Sequence, residues 1–238
     1  MKAKQSITRF VLEVAAIVIG LTISFMLEDY RQKQELKILS DDLTKNLLNE
    51  IYEIEKYLQD REKAYLGDRL ILKSLMIENI NLDSVLNLNN IKSSYTVSIF
   101  GYRGFQPPTA FYKSLINDGK IRYLESTEIK KELDLMHSVN SYYIGENIKD
   151  EVIAERKIID YFEKNYPKDY LDSGNDKIKT TDFVKRIYKR VQEDLEVQSM
   201  VYQKISAMNN KIVFFNRYKK SLEKLKAILN YQKKKQNN

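Results

Sequence analysis

The side chains that most often carry chemistry are scarce in this sequence. The chain of 238 residues has no cysteine and one histidine, His137. Without cysteine there is no disulfide, thiolate metal site or thiol nucleophile. No nucleophile-elbow motif accompanies His137, so a surface or packed position on a helix is expected for it. Phosphate-binding glycine loops and His-rich metal spacings are missing too. The sequence therefore predicts no catalytic, cofactor-binding or metal-binding residue and a protein that is not an enzyme.

One stretch near the N-terminus is apolar over a long distance, from Ile7 to Leu27. A bilayer core of about 30 Å needs roughly 20 helical residues, so this stretch predicts a single transmembrane helix. A cleaved signal peptide is the alternative, since it also combines a basic start with an apolar run. The run passes into Glu28 and Asp29 without a small-residue cleavage site, which favours a retained anchor.

Glu13 is an acidic residue inside this predicted anchor. A carboxylate within a membrane is a functional candidate by default, although Arg9 lies four residues earlier and an ion pair would also explain it. Four residues spaced three, four and four apart share one helix face, and they are Glu13, Ala16, Gly20 and Ser24. Small residues on one face let two helices approach closely. This face therefore predicts self-association of the anchor and a homo-oligomer.

A helical pattern of apolar residues follows the anchor. Its members recur every three or four residues without glycine or proline, and they are Leu36, Leu39, Leu43, Leu47, Ile51, Ile54 and Leu58. A second such pattern near the C-terminus includes Ile205, Ile212, Leu222 and Leu229. The two predicted helices, over about 28–66 and 197–232, have similar lengths, which favours antiparallel packing with the C-terminus near Tyr30. The predicted fold is all-α, with one transmembrane helix that continues into an antiparallel bundle of long helices.

The segment from Gly101 to Gly119 concentrates glycine and proline in an otherwise helical chain. Thr109 is placed to cap a short helix, and Gly119 to end it in a left-handed conformation. Ser126 or Thr127 then caps a long helix that Pro167 stops. The preceding residues 95–100 are β-branched and aromatic and predict an extended segment. The candidate partner-binding loop in this region consists of Tyr102, Arg103 and Phe105.

Two parts of the sequence together resemble a known family. They are the glutamate-containing anchor over 10–31 and the segment Phe105-Gln-Pro-Pro-Thr-Ala-Phe-Tyr-Lys-Ser-Leu-Ile-Asn-Asp-Gly-Lys-Ile-Arg-Tyr-Leu124, followed by a helix with Tyr142-Tyr143. This combination resembles an uncharacterised family of bacterial single-pass membrane proteins with an Ala-Tyr-x-x-Leu-x-x-Ser-Gly-like core. Ala110-Phe111-Tyr112 and Asp118-Gly119 depart from that core. The resemblance implies architecture and no activity.

These patterns lead to two expectations for location and function. Residues 1–27 are expected to form an N-terminal tail and an anchor in the bacterial inner membrane. Because Lys2, Lys4 and Arg9 lie near the N-terminus, we expect the N-terminus in the cytoplasm and the helical domain over 28–238 in the periplasm. We expect a membrane-anchored scaffold or sensor that binds another, unidentified protein. The alternative is an oligomeric membrane effector or channel. The net charge of +7 comes from interleaved basic and acidic residues, so nucleic acid is not an expected partner.

Overall fold

The computed structural model describes residues 2–86, 92–124 and 126–236, with side chains over 14–81, 83, 85–86, 94–124 and 126–234. This part of the chain contains helices and no strand, so the all-α prediction is confirmed. In order, the helices are α1 (Lys2–Leu75), α2 (Leu82–Leu86), α3 (Lys92–Phe100), α4 (Ala110–Asn117), a 3₁₀ turn (Lys120–Tyr123), α5 (Thr127–Asp134), a π-helical segment (Leu135–Asn140), α6 (Ser141–Asn165), α7 (Pro167–Ser173), α8 (Thr180–Glu193) and α9 (Leu195–Gln236).

Three long helical units form the bundle: α1, the continuous run from α5 through α6, and α9. Ion pairs fix their directions. Lys226 Nζ lies 2.6 Å from Glu55 Oε2, and Lys219 Nζ lies 2.8 Å from Glu62 Oε2, so α9 runs antiparallel to α1. This confirms the predicted antiparallel packing of the first and last helices.

The bundle buries two apolar clusters, one towards each end. The first joins α1, α5, the π-helical segment and α9, and contains five of the seven predicted stripe residues, which are Leu43, Leu47, Ile51, Ile54 and Leu58. The second joins the C-terminal end of α1 to α3, α6, α8 and the start of α9, where Ile205 lies. Leu39 only packs against the first cluster, and Leu36 is exposed. The stripe therefore enters the core only from about residue 40.

Helix α1 extends far beyond the rest of the bundle. It has 74 residues against 42 in α9, or about 110 Å against about 63 Å at 1.5 Å per residue. Every residue from Val14 to Ile38 is exposed. Because Lys226 is level with Glu55, the end of α9 reaches roughly residue 45 of α1. The prediction that the C-terminus returns to Tyr30 is therefore wrong, since α1 is much longer than the segment matched to α9.

No helix in the described residues combines the length and the apolar character needed to cross a bilayer. The predicted transmembrane anchor is not supported, and the predicted location as a single-pass inner-membrane protein with a periplasmic domain is wrong. Helix α1 also crosses residue 27 without a break.

Some helix boundaries inside the bundle follow the sequence, and others do not. Ser126 caps α5 by accepting a hydrogen bond from the amide of Ile129 at 3.3 Å, and Gly119 has the expected left-handed φ of 63°. The predicted extended segment at residues 95–100 is wrong, because these residues form most of α3. Tyr95 is buried there and donates a 2.6 Å hydrogen bond to the Val85 carbonyl, so packing overrides the strand preference of the residue types.

Candidate functional site

The loop between α3 and α4, residues 101–109, is held against α1 by a two-point ion pair. Arg103 Nε lies 2.6 Å from Asp68 Oδ2, and Arg103 Nη2 lies 3.1 Å from Asp68 Oδ1. Ser98 donates a further 3.0 Å hydrogen bond to Asp68, and Tyr65 donates one of 3.0 Å to the carbonyl of Gly104. Arg103 therefore anchors the loop through its charge. Of the three predicted partner-binding residues, Tyr102 is the one that the structure leaves well exposed, at 47%.

Phe105 anchors the other half of the loop in the first apolar cluster. Its ring makes edge-on contacts with Tyr57, Phe215 and Tyr218 at centroid distances of 5.8, 6.1 and 5.0 Å. Tyr57 also accepts a 2.7 Å hydrogen bond from the Gln106 amide. Edge-on aromatic pairs of this kind each contribute about 0.5–1.5 kcal/mol beyond burial. The loop is thus fixed at both halves, and Phe105 is partly buried rather than displayed.

Two buried lysines lie behind this loop. Lys204 donates hydrogen bonds to the carbonyls of Ile99 and Gly101 at 3.0 and 2.5 Å, and so fixes the end of α3. Lys211 pairs with Glu151 in the interior of the bundle. Burial lowers the pKa of Lys204 to about 8, against the opposing effect of nearby carboxylates. Both lysines have 0% exposure, so neither reaches solvent, and we assign them a structural role.

The start of α4 is capped by a side chain from a distant part of the chain. Glu50 of α1 accepts hydrogen bonds from the amides of Phe111 and Tyr112 at 2.6 and 3.0 Å. Desolvation raises the pKa of Glu50, and these two bonds oppose that rise. Thr109 makes no side-chain capping bond, so the prediction that it caps α4 is wrong. The carboxylate of Glu50 takes this role because a charged acceptor is favoured at a helix N-terminus.

His137 lies on the π-helical segment and stacks on Tyr112 of α4, with ring centroids 4.1 Å apart and an interplanar angle of 21°. Its ring also meets the edge of Tyr218 at 6.1 Å. Among the described residues, neither His137 Nε2 nor the Tyr218 hydroxyl has a hydrogen-bond partner, although both atoms are buried. Desolvation, followed by the charge of Lys113, lowers the pKa of His137 to about 4. The imidazole is therefore neutral at pH 7.

A cleft of about 460 Å³ opens where the loop, α4 and the π-helical segment meet. Its volume lies in the range of small-ligand sites in proteins. The loop supplies Phe105, Gln106, Pro107 and Thr109, and the helices supply Tyr112, Lys113, His137 and Ser141. π-Helical turns occur frequently at functional sites. Of the predicted site residues the structure brings only Phe105 to this cleft.

Most of this cleft has no signal in the amino-acid sequence. The sequence favours a surface or packed position for His137, and no motif marks Lys113 or Glu50. Glu50, Tyr112 and His137 come together only through packing, and nothing in their local sequence marks a π-helical turn. Within the described residues, no group of three or more histidine or acidic side chains is arranged to hold a metal ion.

The predicted self-association face lies on the projecting part of α1. Ala16, Gly20 and Ser24 are all exposed, and a Cβ atom built on Gly20 would meet nothing within 4 Å. Ser24 donates a 2.9 Å hydrogen bond to the Gly20 carbonyl, so its hydroxyl is satisfied within the helix. The side chain of Glu13 lies outside the described residues. This face is far along α1 from the cleft.

Comparison with known proteins gives no match to a family model, a curated protein or a solved structure. The resemblance to an uncharacterised bacterial family therefore stays a prediction.

Proposed function

We propose that this protein is a self-associating helical scaffold that binds another protein through its bundle. The projecting segment of α1, residues 14–38, pairs with the same segment of a second copy. The observation that carries the proposal is the complete exposure of this segment. No catalytic step is part of it. The alternative of a membrane effector or channel is not proposed, because no described helix can span a bilayer.

The exposed surface of this segment is large enough for a stable contact. Ten large apolar side chains are 43–72% exposed between Val14 and Tyr30. A standard interface buries about 800 Å² per partner, and these side chains offer apolar surface to a partner along the whole length of the segment. Monomeric proteins seldom expose contiguous apolar patches above a few hundred Å². An apolar surface of this size favours a covered state.

No other part of the described chain covers this segment, so we assign the cover to another chain. Helix α1 is continuous from Lys2 to Leu75, so its N-terminal part has no hinge through which to fold back onto its own bundle.

The hydroxyls of Thr22 and Ser24 donate to the carbonyls of Val18 and Gly20 within the helix. Burial of these two hydroxyls therefore leaves neither donor unpaired, which removes a cost of about 1–3 kcal/mol for each.

A second copy fits this surface because the apolar residues occupy every side of the helix over 14–27. A helix that is apolar all round is normally buried among other helices. The following residues pair their charges within the same helix, with Arg31 and Glu28 at 3.0 Å and Lys33 and Asp29 at 2.6 Å. Those pairs leave no excess charge to repel an identical helix. Ala16 and Gly20 offer the side of closest approach.

Sedimentation velocity of the full chain across a range of concentrations tests this proposal. Wild type should associate, and the double substitution of Ile17→Glu with Phe25→Glu should raise the dissociation constant at least about a hundredfold by placing charges in a buried contact. Gly20→Ile tests the small-residue face and should weaken association, while Gly67→Ile is the matched control on the exposed side of α1 within the bundle. A wild-type chain that stays monomeric, or that binds phosphatidylcholine vesicles as a monomer, would overturn the proposal.

A further inference from the structure

The cleft beside the loop at 101–109 has one charged group in its described lining, and that group is the ammonium of Lys113. The other polar groups are the amide of Gln106, the hydroxyls of Thr109 and Ser141, and the imidazole of His137. The nearby carboxylate of Glu50 is engaged by the amides of Phe111 and Tyr112. The cleft therefore combines one positive charge with several neutral hydrogen-bonding groups.

His137 lines the cleft, and its ring has an unmet hydrogen-bonding requirement. Its Nε2 atom is buried and has no partner among the described residues. Buried polar atoms in folded proteins are nearly always hydrogen-bonded, so each exception calls for an explanation. The ring is held in place by stacking on Tyr112 at 4.1 Å and by the edge of Tyr218 at 6.1 Å. A fixed imidazole with an unpaired nitrogen suits a bound polar group.

The walls of the cleft are apolar and aromatic. Phe105 and Tyr112 line it, and Pro107 adds a rigid apolar edge. Phe105 is fixed by Tyr57, Phe215 and Tyr218, and Tyr112 is fixed by its stacking on His137. Binding there requires little reordering of side chains, which lowers the entropic cost of binding. The walls fit a flat or compact apolar body attached to the polar group.

We propose that this cleft binds a carboxylate carried on an apolar or aromatic body, with Lys113 as the charge partner and His137 as a hydrogen-bonding group. The carboxylate belongs either to a small organic acid or to an acidic side chain of a peptide segment, and both present the same chemistry to Lys113. Thr109, whose hydroxyl makes no capping bond to α4, and Ser141 supply further donors. The proposal is independent of self-association through α1.

Titratable groups face His137 from three directions. Lys113 and Tyr112 come from α4, Tyr218 comes from α9, and Glu50 of α1 lies behind Tyr112 and influences Tyr218. A carboxylate bound beside Lys113 adds a negative charge near the imidazole and favours its protonated form. Binding should therefore raise the pKa of His137, and lowering the pH to about 5, at which a carboxylate is still mostly ionised, should tighten binding.

Proton NMR of the full chain gives a direct measurement, because His137 is the only histidine and its imidazole resonances are unambiguous. Benzoate is the first probe, and benzamide is its uncharged counterpart. Benzoate should shift the His137 resonances with saturation and raise their titration midpoint, whereas benzamide should not. Shifts of equal size and affinity with benzamide, or no saturable shift with any carboxylate, would overturn the proposal.

A second arm distinguishes the two sources of carboxylate. An acetylated, amidated Phe-Glu-Phe peptide presents an acidic side chain without a free terminus, and Phe-Gln-Phe is its control. If benzoate binds at least as tightly as the acidic peptide, the ligand is a small acid. If the peptide binds tenfold more tightly than benzoate, the ligand is a protein segment. Both results support the proposed chemistry.

Substitution of the lysine tests its role. Lys113→Met should weaken binding at least about tenfold, and Lys185→Met, at an exposed lysine on α8, should not. Unchanged affinity in Lys113→Met would overturn the role of Lys113.

Discussion

Lys211 of α9 and Glu151 of α6 form a salt bridge inside the bundle, where their side chains are 0% and 2% exposed. Lys211 Nζ also lies 4.1 Å from the centre of the Tyr65 ring on α1. Burial lowers the pKa of Lys211, while Glu151 opposes that effect. The pair connects α6 to α9 and, through Tyr65, to α1. It thus fixes the relative positions of the three long helical units.

Breaking this pair on one side should destabilise the fold strongly. Glu151→Leu leaves a buried ammonium without its partner, and we expect a loss of about 3–5 kcal/mol in the free energy of unfolding. Replacing both partners, with Glu151→Leu and Lys211→Met, removes both desolvation costs and should restore most of that loss. Urea denaturation of the four proteins in a double-mutant cycle measures the coupling. Additive single effects would show that the two charges do not depend on one another.

Lys204 should make stability depend on pH in the alkaline range. Its pKa is lowered by burial to about 8 in the folded state, from 10.5. Between these values the unfolded chain binds more protons than the folded chain, so the free energy of unfolding rises with pH, by up to about 3 kcal/mol in all. This contribution to stability is fully present above 10.5, the pKa of Lys204 in the unfolded chain, and it is lost as the pH falls through about 8, its pKa in the folded chain. Lys211, with its pKa also lowered, adds an effect of the same sign.

The window for this measurement is pH 8 to about 9.5. At higher pH, Tyr65 and Tyr218 act in the opposite direction, because burial raises their pKa values and the folded chain retains their protons. Lys204→Met should reduce the slope of stability against pH within the window, measured by urea denaturation at several pH values. The exposed Lys185→Met is the control. An equal slope in Lys204→Met and wild type would contradict the assignment.

Glu50 should stabilise α4 far more than Thr109 does. Glu50→Ala removes the acceptor for the amides of Phe111 and Tyr112, and we expect a cost of about 1–2 kcal/mol by analogy with loss of a helix cap. Thr109→Ala, at a residue that makes no capping bond, should cost less than about 0.5 kcal/mol. Urea denaturation gives both values, and hydrogen exchange of the α4 amides reports local opening. Equal costs for the two variants would show that Glu50 is not the effective cap.

The helical class and much of the core can be predicted from the amino-acid sequence alone. The spacing of Leu43, Leu47, Ile51, Ile54 and Leu58 follows the helical period, and all five side chains are buried in the first cluster. The cap at Ser126 and the left-handed Gly119 follow from residue type, since both depend on contacts within a few residues. Absence of cysteine likewise follows from composition alone. These are local properties, so a single sequence is enough to predict them.

Long-range packing sets how far each helix extends along its neighbours and which polar groups come into contact. The register of α9 on α1 places Lys226 beside Glu55, and within the described part of the chain it leaves residues 14–38 without a packing partner. Glu50 accepts a hydrogen bond from the amide of Tyr112, a residue 62 positions away in the sequence. Such contacts depend on the summed packing of whole helices, in which many small terms fix one relative position. Periodicity identifies the buried side of each helix but carries no information on its axial register.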